Sequence, residues 1–215
     1  MRRFTGVALG VALTLVLITS AQAQVAVGVR AGYNNSTLSI TPDDPGIPDF
    51  KSRSSFHAGA DLAFALSPMF GIEAGVAYSQ KGATAAASGI DATFAINYVD
   101  VPVLFAVNIP TSSNITPRLF AGGVASFEMS CKVTLSVAGE GSVSEDCDEE
   151  NTTARKKSYF SALFGGGIGF VAGPGGLLLD VGYQLGLTNL SDETGETAKI
   201  NVFQVSLGYR FPLGG

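Results

Sequence analysis

In NVFQVSLGYRF (residues 201–211), Phe203, Val205, Leu207, Tyr209 and Phe211 alternate with Gln204, Ser206, Gly208 and Arg210. A period of two puts the large apolar side chains on one face of a β-strand and the small or polar ones on the other. The two faces therefore meet different surroundings. The apolar one either packs into a core or stands in lipid.

The pattern recurs in seven earlier stretches: VAVGVRAGY (25–33), FHAGADLAFAL (56–66), FGIEAGVAYSQK (70–81), NYVDVPVLFAV (97–107), RLFAGGVASFEM (118–129), FSALFGGGIGF (160–170) and LLLDVGYQLGL (177–187). The connections after the second, fourth and sixth stretches are short and rich in turn formers: SPM, NIPTSSNITP and AGPGG. The others are mostly longer, and they include the proline-rich TPDDPGIPD and the acidic AGEGSVSEDCDEEN. Together these features predict an all-β fold: an eight-stranded antiparallel up-and-down transmembrane β-barrel, with short periplasmic turns and longer extracellular loops.

The first residues fit export. Arg2 and Arg3 precede an apolar stretch from Val7 to Ile18, and Ala21-Gln22-Ala23 offers a cleavage site, so residues 1–23 read as a signal peptide. The apolar stretch falls short of the roughly 18 residues that a membrane-spanning helix needs. Residues 24–215 then form one barrel domain, without a linker or second domain. Loss of Arg2 and Arg3 leaves 11 basic residues against 18 acidic, a balance of −7 that argues against a nucleic-acid partner. Charged residues make up 14% of the chain, against about 25% in soluble domains.

Three observations turn the apolar face toward lipid rather than toward a ligand-filled soluble interior. No charged residue lies on that face, whereas the other carries Arg30, Lys81, Arg118 and Arg210 against Asp61, Glu73, Asp100, Glu128 and Asp180. Such a near-balanced set suits an enclosed ion-pair network, because unpaired buried charges cost several kcal/mol each. The polar face is also crowded with glycine, as a narrow, side-chain-filled interior requires. Finally, the outward aromatics gather at two heights. Phe64, Phe70, Phe105, Phe170, Tyr209 and Phe211 lie near the short turns, and Tyr33, Phe56, Tyr78, Phe127, Phe160 and Phe203 near the long loops, like the two aromatic belts of a membrane barrel.

The stretches GVRAGYNNSTLS, FHAGADLAFAL, GIEAGVAYSQKGA, NYVDVPVLFAV, LFAGG, DVGYQLGLTNL and VFQVSLGYRF resemble, in order, the PorT-like outer-membrane β-barrel family, with YSQKGA and NYVDVPVL as the more specific markers. The resemblance implies eight antiparallel strands and residence in the cell outer membrane, and it carries little about activity. The last strand also resembles the C-terminal signal read by the barrel-assembly machinery during insertion, although PLGG follows Phe211 here.

Catalytic and metal chemistry have few candidates. His57 is the single histidine, and Ser54, Ser55 and Asp61 are the local residues for a Ser-His-acid arrangement; a polar residue at the rim of the second strand is the expectation. One histidine and two cysteines cannot form a conventional structural zinc site. Glu145, Asp146, Asp148, Glu149 and Glu150 lack the spacing of a calcium loop and read as a solvated segment. Cys131 and Cys147 flank that segment in an exported chain, so a disulfide is expected between them.

The expected function is therefore that of a non-enzymatic, integral outer-membrane barrel without metal or cofactor. Its interior is filled by side chains, its loops serve envelope structure or partner contact, and it is expected as a monomer in outer-membrane lipid. The alternatives are a narrow pore or accessory of a secretion or transport system, a secreted lipocalin-like carrier of a hydrophobic ligand, and a lipid-modifying enzyme.

Overall fold

A computed structural model describes residues 25–41, 50–87, 90–137, 141–147, 155–191 and 195–213. The expected signal peptide, the proline-rich segment 42–49 and the acidic residues Asp148, Glu149 and Glu150 lie outside the described residues. Every alternating stretch forms a strand: β1 (Val25–Thr41), β2 (Phe50–Ala65), β3 (Phe70–Ala87), β4 (Ile90–Asn108), β5 (Ile115–Val137), β7 (Ser158–Ala172), β8 (Gly175–Gly186) and β9 (Thr197–Leu213). Among the described residues the sheet has nine strands rather than eight. The additional one, β6 (Gly141–Asp146), pairs antiparallel with the end of β5 and, among the described strands, with no other.

All pairings are antiparallel, and the sheet closes into a ring. The order runs β4-β3-β2-β1-β9-β8-β7-β5, and β5 returns to pair with β4. The seam between the first and last strands runs unbroken from Val25↔Leu213 to Thr41↔Thr197. Closure satisfies the ladder hydrogen bonds that an open edge would leave bare, which a strand surrounded by lipid cannot tolerate.

The two ends of the ring differ, and one expectation needs correction there. On one side the connections are tight: Ser67 Oγ accepts from the amides of Met69 and Phe70 in the first turn, and Gly173 takes a left-handed φ of 60° in the third. On the other side, long loops were expected after the third and fifth stretches. β3 instead runs to Ala87 and β4 starts at Ile90, and the ladder between them continues to the Ala87↔Ile90 pair. Residues 82–87 and 90–95 are strand, and the first of these is hidden because GATAAA lacks the contrast of large and small residues that marks a period of two.

The apolar face points outward. Val29 is 60% exposed, Phe160 60% and Leu207 58%, while Gly28, Tyr159, Ser161 and Ser206 beside them are buried inside the ring. The expected lower aromatics meet one another, Phe70 and Phe105 stacking across the β3–β4 ladder at 5.7 Å and Tyr209 lying against Phe211 along β9 at 4.5 Å. Near the other end, Tyr33 pairs with Phe56, whose ring is 5.8 Å from that of Tyr78. Phe56 and Phe64 lie on one strand, a separation of about 26 Å along it and about 20 Å in height at the usual barrel tilt.

Candidate functional site in the barrel interior

Strand alternation delivers one inward side chain at every second position, so the interior is built in layers. Closest to the short turns, six ionised groups from six strands converge. Asp61 of β2 accepts from Arg30 Nε at 3.0 Å and from Arg210 Nε at 2.9 Å. Glu73 of β3 receives Arg210 Nη1 at 2.6 Å, Arg30 Nη2 at 3.5 Å and the guanidinium of Arg118. Arg118 Nη1 also reaches Asp180 of β8 at 2.6 Å. Three arginines thus face three carboxylates. A Cβ on Gly28 would sit 2.8 Å from Arg210 Cγ and 3.0 Å from Asp61 Oδ1, so the arginine passes only because that residue is glycine. An apolar cluster of Leu104, Ala106, Phe120, Val124 and Leu163 shares this half of the interior, which is therefore not polar throughout.

A neutral hydrogen-bonded layer lies above. His57 Nδ1 is 2.7 Å from Asn34 Oδ1, and its Nε2 is 2.9 Å from Ser206 Oγ. Gln184 donates to Ser161 at 2.6 Å and accepts from Gln204 at 3.2 Å. The catalytic candidates of the sequence are not assembled. Ser54 and Ser55 bond instead to Tyr33 and to the Gln80 carbonyl, Asp61 holds two arginines, and His57 is buried rather than on the rim. The ladder explains this: pairing of Gly32 with His57 points the ring into the space that glycine leaves open.

The third layer is centred on Lys81, which is fully buried. Its Nζ is 2.7 Å from Asp100 Oδ2 and 2.8 Å from Tyr159 Oη, and Ser126 donates to Asp100 at 2.6 Å. Tyr98 and Tyr159 pack edge to face beside it with centroids 5.3 Å apart, and Nζ lies 5.3 and 5.2 Å from their rings. The remaining charge of the sequence set, Glu128, binds Arg155 through two hydrogen bonds of 3.0 and 2.6 Å. Arg155 was not anticipated, because it precedes β7 and lies in no alternating stretch. With it, four basic against five acidic residues becomes five against five.

Above this layer the alternation inverts. On β1 the inward phase changes from Gly28, Arg30, Asn34 and Ser36 to Leu38 and Ile40, while the outward phase changes from Val29 and Tyr33 to Thr37, Ser39 and Thr41. β9 repeats this, with Ala198, Ile200 and Val202 inside and Thr197, Lys199 and Asn201 outside. On β4, Phe94, Ile96 and Tyr98 line the interior. On β5 a bulge at Met129 (Asn97 pairs with Ser130, Tyr98 with Glu128) moves the inward phase onto Cys131 and Val133. These side chains bound a chamber of about 300 Å³. The signal was present in the sequence as a change of phase rather than a loss of alternation. Cys131 and Cys147 form a disulfide beside the chamber, bridging β5 to the residue after β6 with Cα atoms 5.4 Å apart.

A closed antiparallel ring with an apolar belt outside and paired charges within is the architecture of an outer-membrane β-barrel protein. The chain belongs to the outer membrane protein beta-barrel domain family, which it matches over residues 20–192, and its location is the outer membrane. Among solved structures it is similar in fold to the outer-membrane protein AlkL in DMPC bilayers, at 12% identity over 90% of this chain and 92% of that one (TM-score 0.50). Weaker likenesses include Neisserial surface protein A, at 14% identity over 87% and 99% of the two chains (TM-score 0.49). Another is Ail, the attachment invasion locus protein of Yersinia pestis, in complex with the heparin analogue sucrose octasulfate, at 17% identity over 87% and 99% (TM-score 0.43). No curated protein sequence matches the chain significantly.

Proposed function

We propose that this chain is a sealed, non-enzymatic outer-membrane barrel of PorT-like type. Eight strands cross the membrane as a monomer, and β6 is a hairpin arm outside it. The short turns face the periplasm, and the strand extensions and long loops face outward, where they serve envelope structure or partner contact. The carrying observation is the stack of three paired layers across the bore. The cavities left within it, about 20 Å³ beside Asp61 and Glu73 and about 50 Å³ beside His57, hold a few waters at most.

The same packing supports the non-enzymatic reading. The Ser206–His57–Asn34 chain has hydrogen-bond distances that a nucleophile and base would need, but it faces only the 50 Å³ space walled by Arg30, Asp100 and Gln184. No acyl chain or peptide fits there. The test of the sealed bore is a liposome-swelling assay with pure protein and small sugars. No swelling is expected, and steady swelling scaled to protein amount would favour the pore reading.

A further inference from the structure

The chamber above the Lys81 layer has no role in sealing the bore, and apart from Arg155, Ser191 and Glu196 its wall is largely apolar where the layers below are polar. Leu38, Ile40, Phe94, Ile96, Val133 and Ile200 turn inward around it. The same strands place threonine, serine, asparagine and lysine outward at this height. A strand segment in water that hides its apolar side chains inside a ring is built as a small soluble barrel is built, around an apolar interior. Cores of that kind normally pack without voids larger than a water molecule. A volume of about 300 Å³ is instead at the lower bound of ligand pockets, and an apolar cavity of this sort takes apolar guests rather than water.

Two further observations narrow the guest. Tyr98, which forms part of the wall, is fully buried, and its hydroxyl has no hydrogen-bond partner among the described residues. The hydroxyl borders no open space as the ring stands, so one oxygen on a guest satisfies it once the ring shifts toward the chamber. The cations nearby are committed: Lys81 to Asp100 and Tyr159, and Arg155 to Glu128. An anionic head group would therefore find no cation without breaking a buried pair. We propose that the chamber is a binding site for a small uncharged hydrophobic molecule carrying a single hydroxyl or carbonyl oxygen. The site is blind, because the Lys81 layer floors it. It binds its guest without passing it through the barrel.

The test is photolabelling of the full protein in phospholipid vesicles with a medium-chain alcohol bearing a diazirine, followed by peptide mapping. In a parallel arm the diazirine is carried on the acyl chain of a phospholipid. Labels on outward residues such as Val29 and Leu207 report lipid contact and serve as the internal control. The free alcohol is expected to label peptides containing Ile40, Ile96 or Ile200, and excess unlabelled decanol should suppress that label. Two variants that fill the chamber, Ala83→Phe and Ala198→Phe, should each lose it while keeping the outward labels and the gel mobility of the folded barrel. Labelling of the chamber only from the phospholipid would overturn the small-molecule guest and assign the chamber to a lipid chain. Chamber peptides unlabelled by either probe, or labelled without suppression by decanol and by filling, would overturn the proposal.

Discussion

Glu73 faces Arg30, Arg118 and Arg210, whereas Asp180 is held by Arg118, so removing Arg118 strands Asp180 in the bore and takes one cation from Glu73. Arg118→Ala should lower unfolding stability in vesicles by about 3–5 kcal/mol, the usual cost of breaking a buried pair on one side. Urea titration monitored by gel mobility measures it. The Lys81–Asp100 pair offers a sharper comparison. Lys81→Met leaves a bare carboxylate, whereas Lys81→Met with Asp100→Leu removes both charges, so the double variant should be more stable than the single. A double variant as weak as the single would mean that Lys81 acts through its tyrosine contacts rather than through charge. His57 sits in a neutral layer without substrate space, so His57→Ala should leave the membrane's lipid profile unchanged. A lost lipid modification would revive the enzyme reading.

At the scale of the element, β6 stands beside the ring and pairs, among the described strands, with β5 alone, while β5 stays paired with β4 to its end at Val137. A bridge closing a loop of this span is worth roughly 3 kcal/mol in the loop-entropy model, but the barrel is already held by its ladder. Reduction of Cys131–Cys147 should therefore speed protease cleavage between residues 139 and 155 while the folded barrel's gel mobility survives. Loss of that mobility on reduction would show that the bridge supports the whole fold. The sequence made the lower half of every strand legible, because lipid outside and packed charges inside enforce a contrast at each step. It did not reveal the upper half of β3, where GATAAA blurs the period, nor that of β4, where Ile90, Phe94 and Ile96 alternate with Asp91, Thr93 and Asn97 in a segment read as loop. It also hid the inward turn of Cys131, which depends on a bulge at Met129 that no residue type announces. Arg155 was missed for a related reason: its role comes from a segment outside the pattern. The nine inward charges were readable as a set, yet not as pairs, since register between distant strands decides who meets whom.

For the whole molecule, the two halves of the barrel follow opposite rules, and the change falls near Tyr33 on β1 and Phe203 on β9. Below these aromatics the outside is apolar and the inside carries ions; above them the outside is polar and the inside apolar. We read this crossing as the outer boundary of the membrane, with lipid around the lower half and water around the upper. A protein so built should resist extraction without detergent, and in detergent it should change gel mobility on boiling; monodisperse recovery from periplasm without detergent would contradict a membrane barrel. The most direct measurement places single spin labels at outward positions on either side of the crossing and compares collisions with oxygen and with a water-soluble nickel chelate in vesicles. Labels at Val29 and Leu207 should favour oxygen, and labels at Ser39 and Lys199 should favour nickel. Nickel access at Val29 and Leu207, or lipid-like collisions at Ser39 and Lys199, would contradict this placement of the barrel in its membrane.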